Sequence, residues 1–357
     1  MKSNYDILGN HIRLIDTRNR ESITDRVLGI NIDKFFMPSV ANVIGTDLSK
    51  YKLITKGKFA CNPMHVGRDE RLPVALYDEE KPAIVSPAYF MFEVIDNSIL
   101  NEDYLMMWFR RPEFDRICWL HTDGSVRGGI TWDDICRLEL PIPPIENQLE
   151  IVNSYMTITE RIALKQKIND NLDDTAQTLY QKYFESNSDK SSWKQGTVGD
   201  VLQLQRGHDL PRTEMTGGKY PVAGSTGTIG YHDEFTAEAP VIVMGRSGNI
   251  GNPRLYLCNC WTHNTSLYVK QIYEAEPLWV FYLLKNLNYD GFVGGSAVPT
   301  LNRNDVHAYG IAIPPLELQK SFSQKVMSLI YCKEENLSEI EKLQELQKII
   351  LTTMSSR

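Results

Sequence analysis

No apolar run in the 357 residues approaches the ~18 needed to span a bilayer. The opening MKSNYDILGNHIRLIDTRNR holds no apolar signal core and no cleavage site. The expected location is therefore cytoplasmic, with no membrane partner. A disulfide framework is lacking too. The six cysteines, Cys61, Cys118, Cys136, Cys258, Cys260 and Cys332, are scattered, as free thiols in a reducing compartment would be. Positive charge is scarce: 38 Lys and Arg stand against 45 Asp and Glu, a net charge of -7 with a pI of about 5.6. That excludes a free-standing chain held to nucleic acid by charge alone. It leaves room for a local basic surface, or for a complex whose other members supply the positive field.

What is present is a soluble globular composition, 42% hydrophobic and 23% charged. The length allows two domains, each with its own core. One short phrase is written twice. PIPPIENQ (Pro141 to Gln148) and AIPPLELQ (Ala312 to Gln319) agree at five of eight positions, and Pro314 lies 171 residues after Pro143. At that offset the match extends upstream without gaps. Gly124 and Ser125 meet Gly295 and Ser296, Ile130 meets Leu301, Asp134 meets Asp305, and Ile135 meets Val306. A weaker pairing opens each half: LGNHI at Leu8 resembles VGDVL at Val198, at an offset of 190. The halves are alike at their edges and differ inside, as two copies of one scaffold with different working surfaces would.

Each phrase is followed by a segment that reads as a long helix. Paired prolines suit a helix start, and Glu146 and Glu317 place negative charge in the first turn. No Gly or Pro occurs from Glu146 to Phe184 or from Glu317 to Met354. Leu149, Val152, Met156, Ile162, Ile168, Leu172, Leu179 and Tyr183 mark an approximate apolar stripe on the first. Leu329, Ile340, Leu343, Ile350 and Met354 mark the second, with polar breaks at Lys333, Asn336 and Gln347. Such stripes predict that the two helices pack on each other as a coiled coil. Charges at Arg161, Lys165, Lys167, Glu334, Glu335 and Glu341 are expected on a solvated or partner-docking face. The polar stretch ESNSDKSS reads as a linker, and Trp193 opens the second half.

The interiors read as mixed strand and loop. VIVMGRSGNIG (Val241 to Gly251) is a strand running into a Gly-rich turn, and YFMFEVI and TSLYVK are strand-like. DYLMMWFRR and PLWVFYLLKNL read as short amphipathic helices in corresponding places. GRSGNIG lacks the Gly-Lys-Ser/Thr ending of a phosphate loop; a tight turn presenting Arg246, Ser247 and Asn249 is expected. Asn62–Pro63 continues into Met64–His65, without the second proline and aromatic of an adenine-methyltransferase signature. Cys258, Cys260 and His263 lie close together but have no second pair to complete a zinc site, so no metal is expected.

The chain resembles, over essentially its whole length, the specificity subunits of Type I restriction–modification systems. In the second half the motifs run WKQGTVGDVLQLQRG, YPVAGSTGTIGYHDE, PVIVMGRSGNIG, WTHNTSLYV and GSAVPTLNRNDVHAYGIAIPPLELQ; in the first, KGKFACNPMHVGRDE and AIVSPAYFMFEV. Each is loose alone, but their order, duplicated around two long helices, is specific. The resemblance implies an α+β chain with two target-recognition domains (1–143 and 193–314) held apart by antiparallel helices (144–185 and 315–357), with a linker at 186–192. It implies a subunit without catalysis that reads a bipartite, asymmetric site in double-stranded DNA. Its partners would be two adenine-methylating modification subunits and the restriction subunits. No cofactor is expected here; S-adenosylmethionine, ATP and Mg would sit on the partners. Candidate DNA-contacting residues are Asn62, Arg68, Arg71, Ser125, Arg127, Ser225, Thr226, Arg246, Ser247, Asn249, Arg254 and Ser296, types that read bases or hold phosphates. Two other functions stand against this one: a DNA methyltransferase or nuclease with its own active site, or a helical adaptor without DNA contact.

Overall fold

A computed structural model describes residues 4–40, 43–64, 66–122, 128–289, 293–294 and 300–354. The chain forms two compact units, Met1–Leu164 with Glu339–Arg357, and Lys165–Ser338. Each unit takes part of both long helices. Among the described residues no helix is long and apolar enough to cross a membrane.

The first unit opens with Tyr5–Ile7 (β1), Ile12–Leu14 (β2), Val27–Ile30 (β3) and Phe36–Pro38 (β4). Lys52–Ile54 (β5), Lys58–Cys61 (β6), the short helix Val66–Asp69 (α1), Val74–Tyr77 (β7), Ala83–Val85 (β8) and Phe90–Val94 (β9) follow. Helices Glu102–Phe109 (α2), Pro112–Leu120 (α3) and Trp132–Cys136 (α4) lead to Glu139–Pro141 (β10) and the long helix Ile145–Tyr180 (α5). Two four-stranded sheets result, in the orders β2-β9-β6-β7 and β4-β3-β8-β5. In the second sheet β3 and β8 run parallel.

The second unit holds Lys194–Thr197 (β11), Leu202–Arg206 (β12), Tyr220–Gly224 (β13), Gly227–His232 (β14), Val241–Gly245 (β15), Gly251–Tyr256 (β16), Trp261–Thr262 (β17) and Ser266–Ile272 (β18). Helix Pro277–Asn286 (α6), short strands Val293–Gly294 (β19) and Thr300–Leu301 (β20), helix Arg303–His307 (α7), Gly310–Ile313 (β21) and the long helix Leu316–Thr353 (α8) complete it. Its sheets are β12-β18-β15-β16 and β14-β13-β17, with β13 and β17 parallel. Strand for strand this is the arrangement of the first unit, with β5 as the first unit's addition. The interiors that differ in sequence therefore share one topology.

The duplicated edges have a structural reason. In each half the opening segment pairs with the closing one: Tyr5 lies opposite Pro141, and Gln195 opposite Ala312. Leu8 N donates to Leu138 O at 2.7 Å, and Val198 N to Tyr309 O at 2.9 Å. Gly9 and Gly199 press against the ends of α4 and α7; an added Cβ would sit 2.9 Å from Cys136 Cβ and 3.2 Å from His307 O respectively. The phrases at the two edges of each half are thus each other's partners.

The glutamine that ends each phrase is buried. Gln148 Oε1 accepts from Asn101 N at 2.9 Å, and its Nε2 donates to Ile99 O and Pro143 O, both at 2.8 Å. Gln319 Oε1 accepts from Glu276 N at 2.9 Å, and its Nε2 donates to Pro314 O at 2.9 Å. Asn101 and Glu276 are the N-cap residues of α2 and α6. Each repeated phrase therefore pins a long helix to the short helix of its own domain. Those short helices are not amphipathic. Tyr104 to Phe109 and most of Leu278 to Leu284 are buried, around aromatic clusters that include Phe59, Phe92 and Phe109 in one unit and Tyr180, Phe184, Tyr282 and Phe322 in the other.

Within each unit the long helices pack antiparallel on a seven-residue seam. On α5 it passes through Gln148, Tyr155, Ile162, Asn169 and Ala176, all buried. On α8 buried positions at Gln319, Phe322, Val326, Asn336, Ile340 and Met354 keep the same phase. Of the expected stripe, Val152 and Ile162 are buried, but Leu149, Met156 and Ile168 face solvent, at 42%, 41% and 37% exposure. The expected polar breaks lie inside the seam. Asn336 Nδ2 donates to Asn169 Oδ1 and Lys165 Nζ to Asn336 Oδ1, each at 2.9 Å. Lys333 pairs with Asp173 at 2.5 Å, and Gln347 Nε2 donates to Thr159 Oγ1 at 2.7 Å. Arg161 pairs with Glu339, so Arg161 and Lys165 bind across the helix pair and are not simply solvated charges.

Candidate nucleic-acid interface

In the second unit three turns meet at one end of the sheets: residues 225–226 between β13 and β14, 246–250 between β15 and β16, and 263–265 before β18. Asn249 Nδ2 donates to Ser225 O at 3.1 Å. Ser225 N donates to Thr265 Oγ1 at 3.3 Å, and Arg246 N to Thr265 O at 3.1 Å. His263 Nδ1 lies 2.9 Å from Thr265 Oγ1. Ser247 bridges to Thr300. The exposed Arg254 lays its guanidinium against Gly227, at the foot of the turn carrying Thr226. The structure thus gathers Ser225, Thr226, Arg246, Ser247, Asn249 and Arg254. Ser296 lies outside the described residues.

The hub of this cluster, the 263–265 turn, was not among the residues named from the sequence as DNA contacts (His263 was weighed only as a metal ligand), nor was Arg206, whose Nε donates to Asn264 O at 3.3 Å. A usable signal was the run His-Asn-Thr before a strand, together with Gly207 just after one. Arg206, Arg246 and Arg254 make no ion pair among the described residues. Cys260 is buried beside Ala223, Val243 and Tyr268, and burial pushes its thiol up to about 12, so it stays protonated. Cys258 is exposed. Among the described residues no three His, Cys, Asp or Glu side chains could hold a metal.

In the first unit the β6–β7 connection is the counterpart of the β15–β16 turn, since both join the third and fourth strands of the same sheet order. It carries Asn62, Arg68 and Arg71. Asn62 N donates to Pro73 O at 2.8 Å to close the connection, and Asn62 Oδ1 accepts from Met64 N at 3.2 Å. Gly67 N donates to Gly128 O at 3.0 Å and Ile130 N to Pro63 O at 3.2 Å, which brings the 128–130 strip beside it. Ser125 and Arg127 lie outside the described residues. Both arginines are engaged: Arg68 with Asp69 at 2.6 Å and Arg71 with Asp33 at 2.9 Å. The Asp69 carboxylate holds the Arg68 guanidinium above its ordinary pKa.

Residues 190–349 match the family model of the Type I restriction modification DNA specificity domain. Over 397 aligned residues, 98% of this chain and 88% of the relative, the chain is 22% identical to the "Putative type I restriction enzyme MjaX specificity subunit" of Methanocaldococcus jannaschii. The fold is similar to the S subunit of a Type-I restriction-modification system from M. genitalium, with a TM-score of 0.62 and 17% identity over 99% of this chain and 96% of that one. A second solved chain, from work on complex assembly and conformational transition of the type I R-M system, gives a TM-score of 0.50 and 16% identity over 98% and 96%. Residues 190–349 thus match a DNA specificity domain, and the whole chain has the fold of the S subunits, two related mixed α/β domains with a pair of long helices. The relatives that it resembles over nearly its whole length are specificity subunits of the Type I restriction–modification kind.

Proposed function

We propose that each unit reads one half of a bipartite DNA target, and that the chain does so without catalysis of its own. The observation that carries this is one scaffold bearing two different loops: the same four-strand order, with arginine and asparagine at the same connection in both units. Unlike loops on like frames would read unlike half-sites, so the target is asymmetric. Arginine suits guanine, asparagine suits adenine, and serine or threonine suits either. With a net charge of -7, the chain lacks the positive field that would hold duplex DNA unaided. It works in the cytoplasm with two adenine-methylating modification subunits and with restriction subunits, which bring S-adenosylmethionine, ATP and Mg.

The test is exchange. Replacing Gly199 to Asn302 with the matching segment of a relative, in the assembled methylating complex, should change one half-site and leave the other. Both half-sites moving together would defeat the two-reader scheme. Methyl transfer from labelled S-adenosylmethionine by the purified chain alone would show that it is itself the methyltransferase.

A further inference from the structure

Arg206 ends β12 with its side chain exposed. Its Nε–H is occupied by Asn264 O. The paired Nη groups, the edge of the guanidinium that matches O6 and N7 of guanine, are left over. Three residues on, the exposed Asp209 accepts a hydrogen bond from Asn264 Nδ2. One asparagine therefore holds a cationic donor fork and an anionic acceptor side by side.

The turn that holds them is fixed from several directions. Gly207 N donates to Ser266 O at 3.1 Å and His208 N to Thr262 O at 2.6 Å. A Cβ on Gly207 would come within 2.2 Å of His263 O, so only glycine lets the strand end approach this closely. The buried Ser266 Oγ bonds His263 O at 2.7 Å and Ala223 O at 3.2 Å. Ser225 N and Arg246 N both end on Thr265. An arginine tethered at Nε on such a base has already given up part of its rotamer freedom, so less remains to be lost on binding.

We infer that Arg206 and Asp209 are base-reading residues of the second unit, and that its half-site contains a G·C pair where they reach. A G·C edge in the major groove offers O6 and N7 as acceptors and the cytosine N4 amine as a donor. Arg206 answers the first and Asp209 the second. A phosphate is the other anion an exposed arginine could take, but the Asp209 carboxylate beside it repels phosphate and accepts from an amine. This inference rests on the proposed reading of DNA by the second unit.

The experiment uses the full chain assembled with its methylating partner, with methylated sites mapped for wild type, Arg206→Ala, Arg206→Lys and Asp209→Ala. Arg206→Ala and Asp209→Ala should relax the same G·C position, with discrimination there falling about 10- to 100-fold, while the other half-site stays unchanged. Arg206→Lys should relax it as well, because a point charge lacks the fork. If Arg206→Ala instead weakens all sequences alike, lowers the salt slope by about one and is rescued by lysine, Arg206 is a phosphate clamp and the inference is wrong. Both side chains are exposed, so unfolding midpoints should match wild type. Should alanine lower one, Arg206→Gln keeps the stem and must still relax the same position. A sequence-specific wild type whose map the variants leave identical overturns this inference alone. A wild type with no sequence preference overturns the proposed function itself.

Discussion

Replacing Gln148 with leucine removes three hydrogen bonds without opening a large hole. The side chain is fully buried, and leucine of similar volume keeps water out of the site. Asn101 N–H then has no acceptor, and the carbonyls of Ile99 and Pro143 each lose a donor at 2.8 Å. A buried donor without a partner costs ~1–3 kcal/mol, and each lost acceptor contact about 0.5–1.5 kcal/mol. The expected loss for Gln148→Leu is therefore ~2–6 kcal/mol, a large part of the ~5–15 kcal/mol that holds a typical domain. Gln319→Leu strips two partners instead of three, so its loss should be smaller, roughly 1.5–4.5 kcal/mol. Exposed Asn147→Ala, one position away, should stay within about 0.5 kcal/mol of wild type. Urea unfolding followed by circular dichroism measures all three. A Gln148→Leu midpoint equal to wild type at unchanged slope would refute the claim that this glutamine pins the helix.

Asn336→Leu should destabilise the helix pair by ~1–3 kcal/mol, because Asn169 and Lys165 each lose their bond to it. Adding Asn169→Leu should recover much of that; a double-mutant coupling below about 0.5 kcal/mol would show the pair to be independent. His307 Nε2 accepts from Leu204 N at 2.8 Å and so must be neutral, and burial, with Arg303 nearby, lowers its pKa from the ordinary 6.5. The unfolded chain binds that proton first, so stability should be level above pH 6.5 and fall as pH drops below it toward the lowered folded value. His307→Gln should flatten that slope in urea midpoints taken from pH 7.5 down to about 5, and an unaltered slope would refute the assignment.

The helices, their start at paired prolines and the strand–turn at Val241 to Gly251 were legible because each is local: absence of Gly and Pro, a proline pair, an apolar run ending in glycine. The seam was not. Asn169, Asn336 and Gln347 occupy positions that an apolar count reads as breaks, while Leu149 and Met156, which such a count selects, point to water. The common sheet order was hidden for a different reason. Pairings such as Ile12 with Val94 and Leu202 with Ile272 join residues far apart in the chain, and the residues that line them need only be apolar. The arginines of the turns could be named from their Gly, Ser and Asn surroundings. Their division could not: Arg68 and Arg71 have carboxylate partners, Arg206 and Arg246 have none among the described residues, and a partner such as Asp33 lies 38 positions from Arg71.

The first unit is not contiguous in the chain. Its core takes in Met354, with Ile350 and Leu351 packed against it, and its half of the helix pair is closed by Arg161 with Glu339 and Thr159 with Gln347. The second unit is one unbroken segment. Domains emerging from the ribosome usually complete themselves in order from the N-terminus. Here the order inverts: Lys165 to Ser338 can close as soon as it is outside the exit tunnel, while the half that was made first waits for residues 339–354. Until residues 339–354 arrive, Val152 and Tyr155 lack Met354, the C-terminal member of their core.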